Sequence, residues 1–153
     1  SMLQSALTVK ELTQLAAAQQ MPALALADAN NLFGALEFSE AAAEAGVQAI
    51  VGLTLNVREE GGIDGALALF AQDEAGYANL MQLSSAAYLE SGDREEAHVS
   101  LQRVLDQSQG LIASTGGGEG PLALLLSEQR EDDAKALLAR LAAAFRERLY
   151  VAR

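Results

Sequence analysis

The stretch from Met21 to Leu55, MPALALADANNLFGALEFSEAAAEAGVQAIVGLTL, predicts a complete strand–helix–strand unit. Ala23 to Ala27 is a short, uncharged apolar run, typical of a strand buried on both faces. Phe33 to Ala45 has helical spacing, with apolar residues on one side and glutamates on the other. A second apolar run, Ala49 to Val57, returns beside the first. Because such crossovers are right-handed, we expect two parallel neighbouring strands.

Signals for the ends of this helix flank it on both sides. Asp28, Asn30 and Asn31 form a polar turn whose side chains can cap the helix, and we expect Asp28 to be a cap. Gly46 follows the helix, where a residue with free access to the left-handed conformation is favoured. Leu36 is expected on the apolar side of the helix.

The rest of the chain continues the alternation of strands and helices that is typical of α/β proteins. A helix begins at Thr8, which forms a capping box with Glu11. Tyr77 and Tyr88 recur at helical spacing, and we expect them in the core rather than as a stacking surface for bases. The other predicted elements are a turn over 58–65, a strand over 66–71, a helix from 74 to about 89 capped by Asp73, a charged loop over 90–96, a helix over 101–108 capped by Ser100, a strand over 111–115, a helix start after Pro121, a helix over 131–148 and a strand over 149–152.

Composition limits the class of protein. The 153 residues are expected to form one domain, 1–153, and half of them are apolar, which indicates a globular chain. No apolar run approaches the roughly 20 residues that cross a bilayer, so no membrane contact is expected. Twenty-one acidic residues against ten basic ones give a net charge of −11. Since nucleic-acid affinity depends on Lys and Arg at phosphates, no direct contact with nucleic acid is expected.

Several phrases of the sequence resemble the N-terminal PHP (polymerase and histidinol phosphatase) domain of bacterial DNA polymerase III alpha subunits. That family carries a phrase close to MPALALTDHGNLFGAVEFY, followed by a strand close to IIGCEV. Here the matching words are MPALALADANNLFGALEFS and IVGLTL. The likeness continues in DEAGYANLMQLSSAAYLE (73–90), QGLIASTGGGEG (109–120) and RERLYVAR (146–153), so it covers essentially the whole chain.

For the fold, the resemblance implies an α/β structure: a partial seven-stranded (β/α) barrel of the PHP type that lacks its first strand. The chain resembles the family from a point just after that strand and the first metal-binding motif, so we expect a segment of a much longer chain. A missing strand leaves unpaired backbone edges, and we therefore expect self-association of the fragment.

For the metal site, the resemblance implies that the ligands are missing. The resemblance implies that active PHP domains hold trinuclear metal sites, built from His, Asp, Glu and sometimes Cys ligands at the carboxyl ends of the strands. Here Ala29 stands at the matched histidine, Thr54 at the glutamate and Gly117 at the cysteine. Only Asp28 is retained, and one carboxylate does not hold a transition metal, so neither metal nor other cofactor is expected.

Other site chemistry has weaker signals. The glycine run 116–120 follows a strand, but Pro121 and Leu122 stand where a P-loop needs lysine and Ser or Thr, so a flexible turn is the better interpretation. His98, the single histidine, is expected to be a surface or packing residue. Asp28 and Glu119 both follow strands and could face one crevice as a catalytic carboxylate pair, but a structural role for Asp28 is favoured.

The resemblance implies a function without catalysis in this segment. Its parent chain would be a DNA-directed DNA polymerase, a cytoplasmic nucleotidyltransferase of DNA replication whose polymerase carboxylates lie beyond Arg153. The segment would support the polymerase core and provide a docking surface for a proofreading exonuclease subunit. Two alternatives stay open: a free-standing PHP-type phosphoesterase, and the PHP segment of an error-prone polymerase paralogue.

Overall fold

A mixed sheet and six α-helices make up the computed structural model, which describes residues 7–29, 31–91 and 96–151. The helices are α1 Val9–Ala18, α2 Ala35–Ala45, α3 Glu74–Glu90, α4 Leu101–Asp106, α5 Pro121–Ser127 and α6 Glu131–Phe145. The strands are β1 Ala23–Ala29, β2 Gln48–Glu59, β3 Ile63–Ala71, β4 His98–Ser100, β5 Leu111–Ser114 and β6 Leu149–Tyr150, with 3₁₀ turns at Gly117–Glu119 and Arg146–Arg148. Within the described ranges, no helix is long and apolar enough to cross a membrane. Predictions that concern Ser1–Ala6, Asn30, residues 92–95 and Ala152 fall outside the described residues.

The strand order is β1-β2-β3-β5-β6, and β4 pairs with β2 outside this path. The predicted parallel pair is confirmed, because β1 pairs with β2 from Ala23 opposite Gln48 to Ala29 opposite Thr54. β4 pairs in parallel with Asn56–Arg58, on the same edge of β2 and beyond the end of β1. β2 is therefore an interior strand, with partners along both of its edges.

The predicted turn over 58–65 is wrong in extent, since β2 and β3 both continue into it as an antiparallel hairpin. Arg58 lies opposite Asp64 in the register, and the two side chains approach to 3.4 Å. The turn itself is formed by Gly61 and Gly62, whose φ angles are +93° and +95°. The density of charge in this segment therefore reflects a cross-strand ion pair rather than a long loop.

One face of the sheet is covered by helices and the other is open. Leu53, Leu55 and Val57 of β2 are fully buried against the helices, whereas the alternating Thr54 and Asn56 are only partly buried. This alternation follows from the two-residue period of a strand. The core on the covered face also contains Leu67, Leu69, Leu80, Leu83, Val104, Leu111, Leu137, Leu141 and Phe145.

The prediction that β1 is buried on both faces is wrong. Leu24 and Leu26 pack against a second small cluster that includes Phe38 of α2, but Ala25 and Ala29 are exposed. The cause is position, because among the described strands β1 has a partner on one side only. An apolar run of this length does not distinguish an edge strand from a central one.

Four predicted helix ends are confirmed. The Thr8 hydroxyl accepts a hydrogen bond from Glu11 N at 3.0 Å, and the Glu11 carboxylate accepts one from Thr8 N. The Asp73 carboxylate accepts from Gly76 N at 2.8 Å, and the Ser100 hydroxyl likewise caps α4. Gly46 ends α2 with a φ of +76°, as the left-handed position requires.

The predicted faces of two helices are wrong. The buried side of α2 consists of Ala35, Phe38 and Ala42, and Leu36 points to solvent. In α3, Tyr77 and Tyr88 are 36% and 53% exposed rather than buried. Both helices are rich in alanine, and small residues can satisfy the buried face while larger apolar residues remain outside.

The end of α6 is held by Arg148, which lies in the 3₁₀ turn after the helix. Its Nη1 donates to the carbonyls of Ser108 and Leu111 at 2.7 and 2.9 Å, and Nη2 donates to Ala144 O at 3.3 Å. The guanidinium also lies 5.9 Å from the centre of the Phe145 ring. This side chain ties the α4–β5 turn to the end of α6.

Candidate functional site

The positions that match metal ligands of the family meet at one edge of the sheet. Ala29 at the end of β1 pairs with Thr54, Thr54 pairs with Ala68, and Ala68 pairs with Ser114 at the end of β5. β1, β2 and β5 run in the same direction, so this row marks the carboxyl ends of β1 and β5. Such an edge is where open α/β sheets place ligands. Ala29 and Thr54 belong to the open face of the sheet.

These residues do not fit a metal centre. Ala29 has no donor atom, Thr54 offers a single hydroxyl, and Gly117, in the turn after β5, has no side chain at all. Zinc and related ions require three or four nitrogen, sulfur or carboxylate ligands. Among the described residues, no group of three or more His, Cys, Asp or Glu side chains could hold a metal ion.

Asp28 lies within β1, directly before this row, and alternates with Leu24 and Leu26 on the helix-covered face. The expectation that it caps the following helix is wrong, because the N-cap of α2 is Gly34, without a side-chain cap. The carboxylate nevertheless faces this N-terminus, since a Cβ on Gly34 would lie 2.9 Å from Asp28 Oδ2. A carboxylate at a helix N-terminus is stabilising, which gives Asp28 a structural role.

Glu119 lies in the 3₁₀ turn after β5 and is exposed. β1 and β5 are separated by β2 and β3, which puts their backbones about 14 Å apart along the sheet. Paired carboxylates of glycosidases, for comparison, lie at most about 9.5 Å apart. The geometry therefore does not favour Asp28 and Glu119 as a catalytic pair.

Two glycines of the run 116–120, Gly116 and Gly120, are explained by close packing. Gly116 has a φ of +79°, and a Cβ there would lie 2.1 Å from Ala66 O. A Cβ on Gly120 would lie 1.7 Å from Thr115 O. Gly120 then caps α5, and Pro121 occupies the first turn of that helix. The backbone requires glycine at these two positions for steric reasons, so the prediction of a turn is supported without a phosphate ligand.

His98 lies in β4, a strand that the sequence analysis did not predict. It pairs with Asn56, and its Nδ1 lies 2.9 Å from Glu96 O. The ring borders a shallow depression together with Arg58 and Asp64. This depression lies beyond the row of matched positions, towards the β2–β3 hairpin, so His98 is separate from the candidate site.

The sequence analysis also missed an ion pair between the hairpin and α6. Arg140 donates from Nη1 and Nη2 to the two carboxylate oxygens of Glu59 at 2.5 and 2.9 Å, and Nη2 lies 3.3 Å from Gln102 Oε1. The hydrogen bonds from Arg140 lower the pKa of Glu59, and the same bonds raise the pKa of Arg140. No carboxylate lies three or four residues from Arg140, and its partner Glu59 lies 81 positions away, so the charge pattern of α6 does not indicate this pair.

Stability is expected to fall in acid as Glu59 is protonated. Because the pKa of Glu59 is lower in the folded chain than in the unfolded chain, its contribution is present above the unfolded pKa. The contribution is lost as the pH drops through the folded pKa. With both side chains partly exposed, we expect about 1 kcal/mol. Urea denaturation of the chain and of Glu59→Gln at neutral pH and in acid tests this, and an equal difference at both pH values would contradict it.

Comparison with known proteins finds the same family that the sequence phrases resemble. The PHP domain family matches residues 1–152. A DNA polymerase III subunit alpha of Caulobacter vibrioides is 42% identical over 158 residues, covering 99% of this chain and 14% of that protein. An error-prone DNA polymerase of Symbiobacterium thermophilum is 36% identical over 166 residues, covering 99% of this chain and 15% of that protein. An amidohydrolase structure from Chromobacterium violaceum has a TM-score of 0.51 at 17% identity, covers 95% of this chain and 80% of that one, and shows similarity of fold alone.

The similarity concerns one region of a longer protein, because the chain spans only 14% of the Caulobacter relative. Within that region the family match is nearly complete, and it includes both the strand–helix–strand unit and the turn after β5. The chain therefore belongs to the PHP domain family.

Proposed function

We propose that this chain is a non-catalytic PHP segment of a bacterial DNA polymerase III alpha subunit. The observation that carries the proposal is the row at the carboxyl ends of β1 and β5, where Ala29 and Thr54 lie side by side and together offer a single hydroxyl. The identity of 42% to an alpha subunit over 99% of this chain supports the assignment of the parent protein. Polymerase activity and a cytoplasmic location then belong to the parent chain.

The proposed role is mechanical support of the polymerase core and docking of a proofreading exonuclease subunit. The covered face of the sheet supports the structural part of this role, because Leu53, Leu55 and Leu69 lie fully buried in an apolar core. The acidic balance of 21 carboxylates to ten basic residues favours protein contacts over contacts with nucleic acid. An error-prone polymerase as the parent remains the second candidate, on the strength of the 36% identity to such an enzyme.

Two experiments test this proposal. The first measures metal content and hydrolysis of a phosphodiester, and the second measures complex formation with an exonuclease subunit. After incubation with zinc and manganese and desalting, we expect elemental mass spectrometry to find no stoichiometric metal. We also expect no turnover of a chromogenic phosphodiester, since Ala29, Thr54 and Gly117 provide no ligand set. An active PHP phosphoesterase serves as the positive control. Stoichiometric metal with metal-dependent hydrolysis would establish the free-standing phosphoesterase instead.

The second arm uses a purified proofreading exonuclease subunit of a bacterial polymerase III. Co-elution of this subunit with the chain in size-exclusion chromatography is expected. An inactive chain that does not bind the exonuclease would contradict the docking role while leaving the supporting role in place.

For the fold, we propose the partial seven-stranded (β/α) barrel that lacks its first strand. Three parallel pairs, β1–β2, β2–β4 and β5–β6, and the open face of the sheet support it. In this arrangement the outward edge of β1 is the position of the missing strand. β1 is seven residues long and carries only Asp28 as a charged residue, so its edge has little protection against pairing with another chain.

We therefore expect the chain to self-associate through the edge of β1. Size-exclusion chromatography with light scattering should show a dimer that dissociates on dilution, since the interface is a single strand pair. Ala25→Lys places a charge on the exposed side of the strand and should shift the chain towards monomer. A chain that is monomeric at every concentration, or a dimer unaffected by Ala25→Lys, would contradict this expectation.

A further inference from the structure

Two large apolar side chains are exposed at the beginning of α2. Phe33, in the turn before the helix, is 86% exposed, and Leu36, in its first turn, is 70% exposed. In the same segment Phe38 is only 2% exposed. Single exposed apolar residues are ordinary, but neighbouring large ones indicate a contact surface.

The exposure of these side chains is a fixed property of the turn. Asn31 Oδ1 accepts from Phe33 N at 3.1 Å, and Asn31 Nδ2 donates to Ala29 O at 3.0 Å. The rotation of α2 is set by Phe38, which is buried between the helix and the sheet. With Phe38 inside, the helical period leaves Leu36 on the solvent side.

Acidic residues continue this surface along α2. Glu37 and Glu40 are exposed, and Glu40 lies one helical turn after Leu36. From Glu11 to Val57 the sequence contains no Lys, Arg or His. Elsewhere among the described residues, five carboxylates have cationic neighbours, in the pairs Arg58–Asp64, Arg103–Glu90, Arg130–Glu128, Arg130–Asp133 and Arg140–Glu59. We call Phe33, Leu36, Glu37 and Glu40 the α2 patch.

We propose that the α2 patch binds a cationic segment of a partner protein. This segment carries two apolar anchor side chains with Lys or Arg beside them, and the inference rests on the docking role proposed above. The apolar anchors cover Phe33 and Leu36, and the basic residues pair with Glu37 and Glu40. Apolar contacts supply most of the affinity, while the charges supply orientation and the rate of association.

The negative charge of Glu37 and Glu40 favours a cationic polypeptide over a second copy of the chain, a nucleic acid or an anionic membrane surface. In a symmetric dimer through the α2 patch, Glu37 and Glu40 would meet their own copies, which is repulsive. Nucleic acids and anionic membrane surfaces are negatively charged and are repelled in the same way. A cationic polypeptide is attracted by Glu37 and Glu40, and its apolar anchors can cover Phe33 and Leu36.

The probe is a synthetic fluorescein-labelled helical peptide with two leucines flanked by arginines, titrated against the full chain by fluorescence anisotropy. One comparison peptide has alanine in place of leucine, and another has glutamate in place of arginine. The chain variants are Phe33→Ser/Leu36→Ser and Glu37→Gln/Glu40→Gln. The matched control is Leu89→Ser/Glu74→Gln on α3, where Leu89 is 84% exposed. Circular dichroism confirms that each variant is folded.

We expect the serine variant to weaken binding by at least about tenfold. The glutamine variant should weaken it less, with a loss that disappears at high salt, and the control should bind like the unmodified chain. Equal binding by all variants, or tight binding of the glutamate peptide, would overturn the inference. So would a single-stranded DNA probe that binds through the patch, or a dimer that the serine variant dissociates.

Failure here can be told apart from failure of the proposed function. If the peptide does not bind while the chain remains metal-free, inactive and able to bind the exonuclease subunit, only the α2 patch is assigned wrongly. If the chain binds metal and hydrolyses the phosphodiester, the proposed function fails whatever the peptide does.

Discussion

Gly76→Ala is expected to destabilise the chain by about 3 kcal/mol, although alanine is normally the better helix former. Gly76 lies in the first turn of α3 against the turn that leads into β5. A Cβ at this position would lie 1.9 Å from the Gly110 carbonyl oxygen and 2.7 Å from its carbon. Gly110 cannot easily move, because its φ is +73° and its oxygen accepts from Gln72 N at 2.8 Å. The α3 helix would therefore have to shift away from the sheet.

Gly118→Ala is the matched control for this prediction. A Cβ on Gly118 would meet nothing within 4 Å, and its φ does not require glycine. We expect a change within about 0.5 kcal/mol. Urea denaturation of both variants measures the difference in the free energy of unfolding. A Gly76→Ala chain as stable as Gly118→Ala would show that the close approach of α3 to Gly110 is not a feature of the folded protein.

Phe145→Ala is expected to cost about 4 kcal/mol. The ring is fully buried at the end of α6, within the cluster that includes Leu137, Leu141 and Leu111. Its removal leaves a cavity and also removes the surface beside the Arg148 guanidinium, 5.9 Å away. Arg148 would then hold the carbonyls of the α4–β5 turn without support on that side. Both effects act on the same end of the helix.

Phe33→Ala provides the control with the same chemical change at an exposed site. Phe33 is 86% exposed, so its truncation should change the free energy of unfolding by no more than about 0.5 kcal/mol. Thermal and urea denaturation together give the comparison. Similar losses in both variants would mean that the aromatic ring of Phe145 is not the core residue described above.

Local features of the fold could be predicted from the sequence because their causes are local. Thr8 with Glu11, Asp73 and Ser100 cap helices through residues three positions away, and each cap was identified in advance. The parallel β1–β2 pair follows from the helical crossover that joins the two strands. Gly46 needs only its own backbone freedom to end α2.

Features that depend on distant partners could not be predicted in this way. β4 is three residues long and exists because β2 extends beyond the end of β1. The antiparallel direction of β3 depends on a turn at Gly61 and Gly62 that resembled a longer loop. The faces of α2 and α3 were misjudged at Leu36 and Tyr88, since size alone does not show which apolar residues the sheet will cover.

The candidate site likewise combines features that the sequence indicates with features that depend on distant partners. The positions Ala29, Thr54 and Gly117 were found by resemblance, and the register then placed Ala29 beside Thr54. The Glu59–Arg140 pair joins residues 81 positions apart, and no pattern within either segment signals it. Long-range ion pairs of this kind become visible only when the packing of the helices is known.

Because side chains alternate along β2, the residues that maintain the core and the residue at position 54 lie on opposite faces of the sheet. Leu53 and Leu55 maintain the core, while Thr54 between them faces the opposite side of the sheet. A substitution at position 54 can therefore alter chemistry with little effect on folding. A reactive side chain at this position can be lost or regained without removing a core contact, provided that the residues on either side are retained.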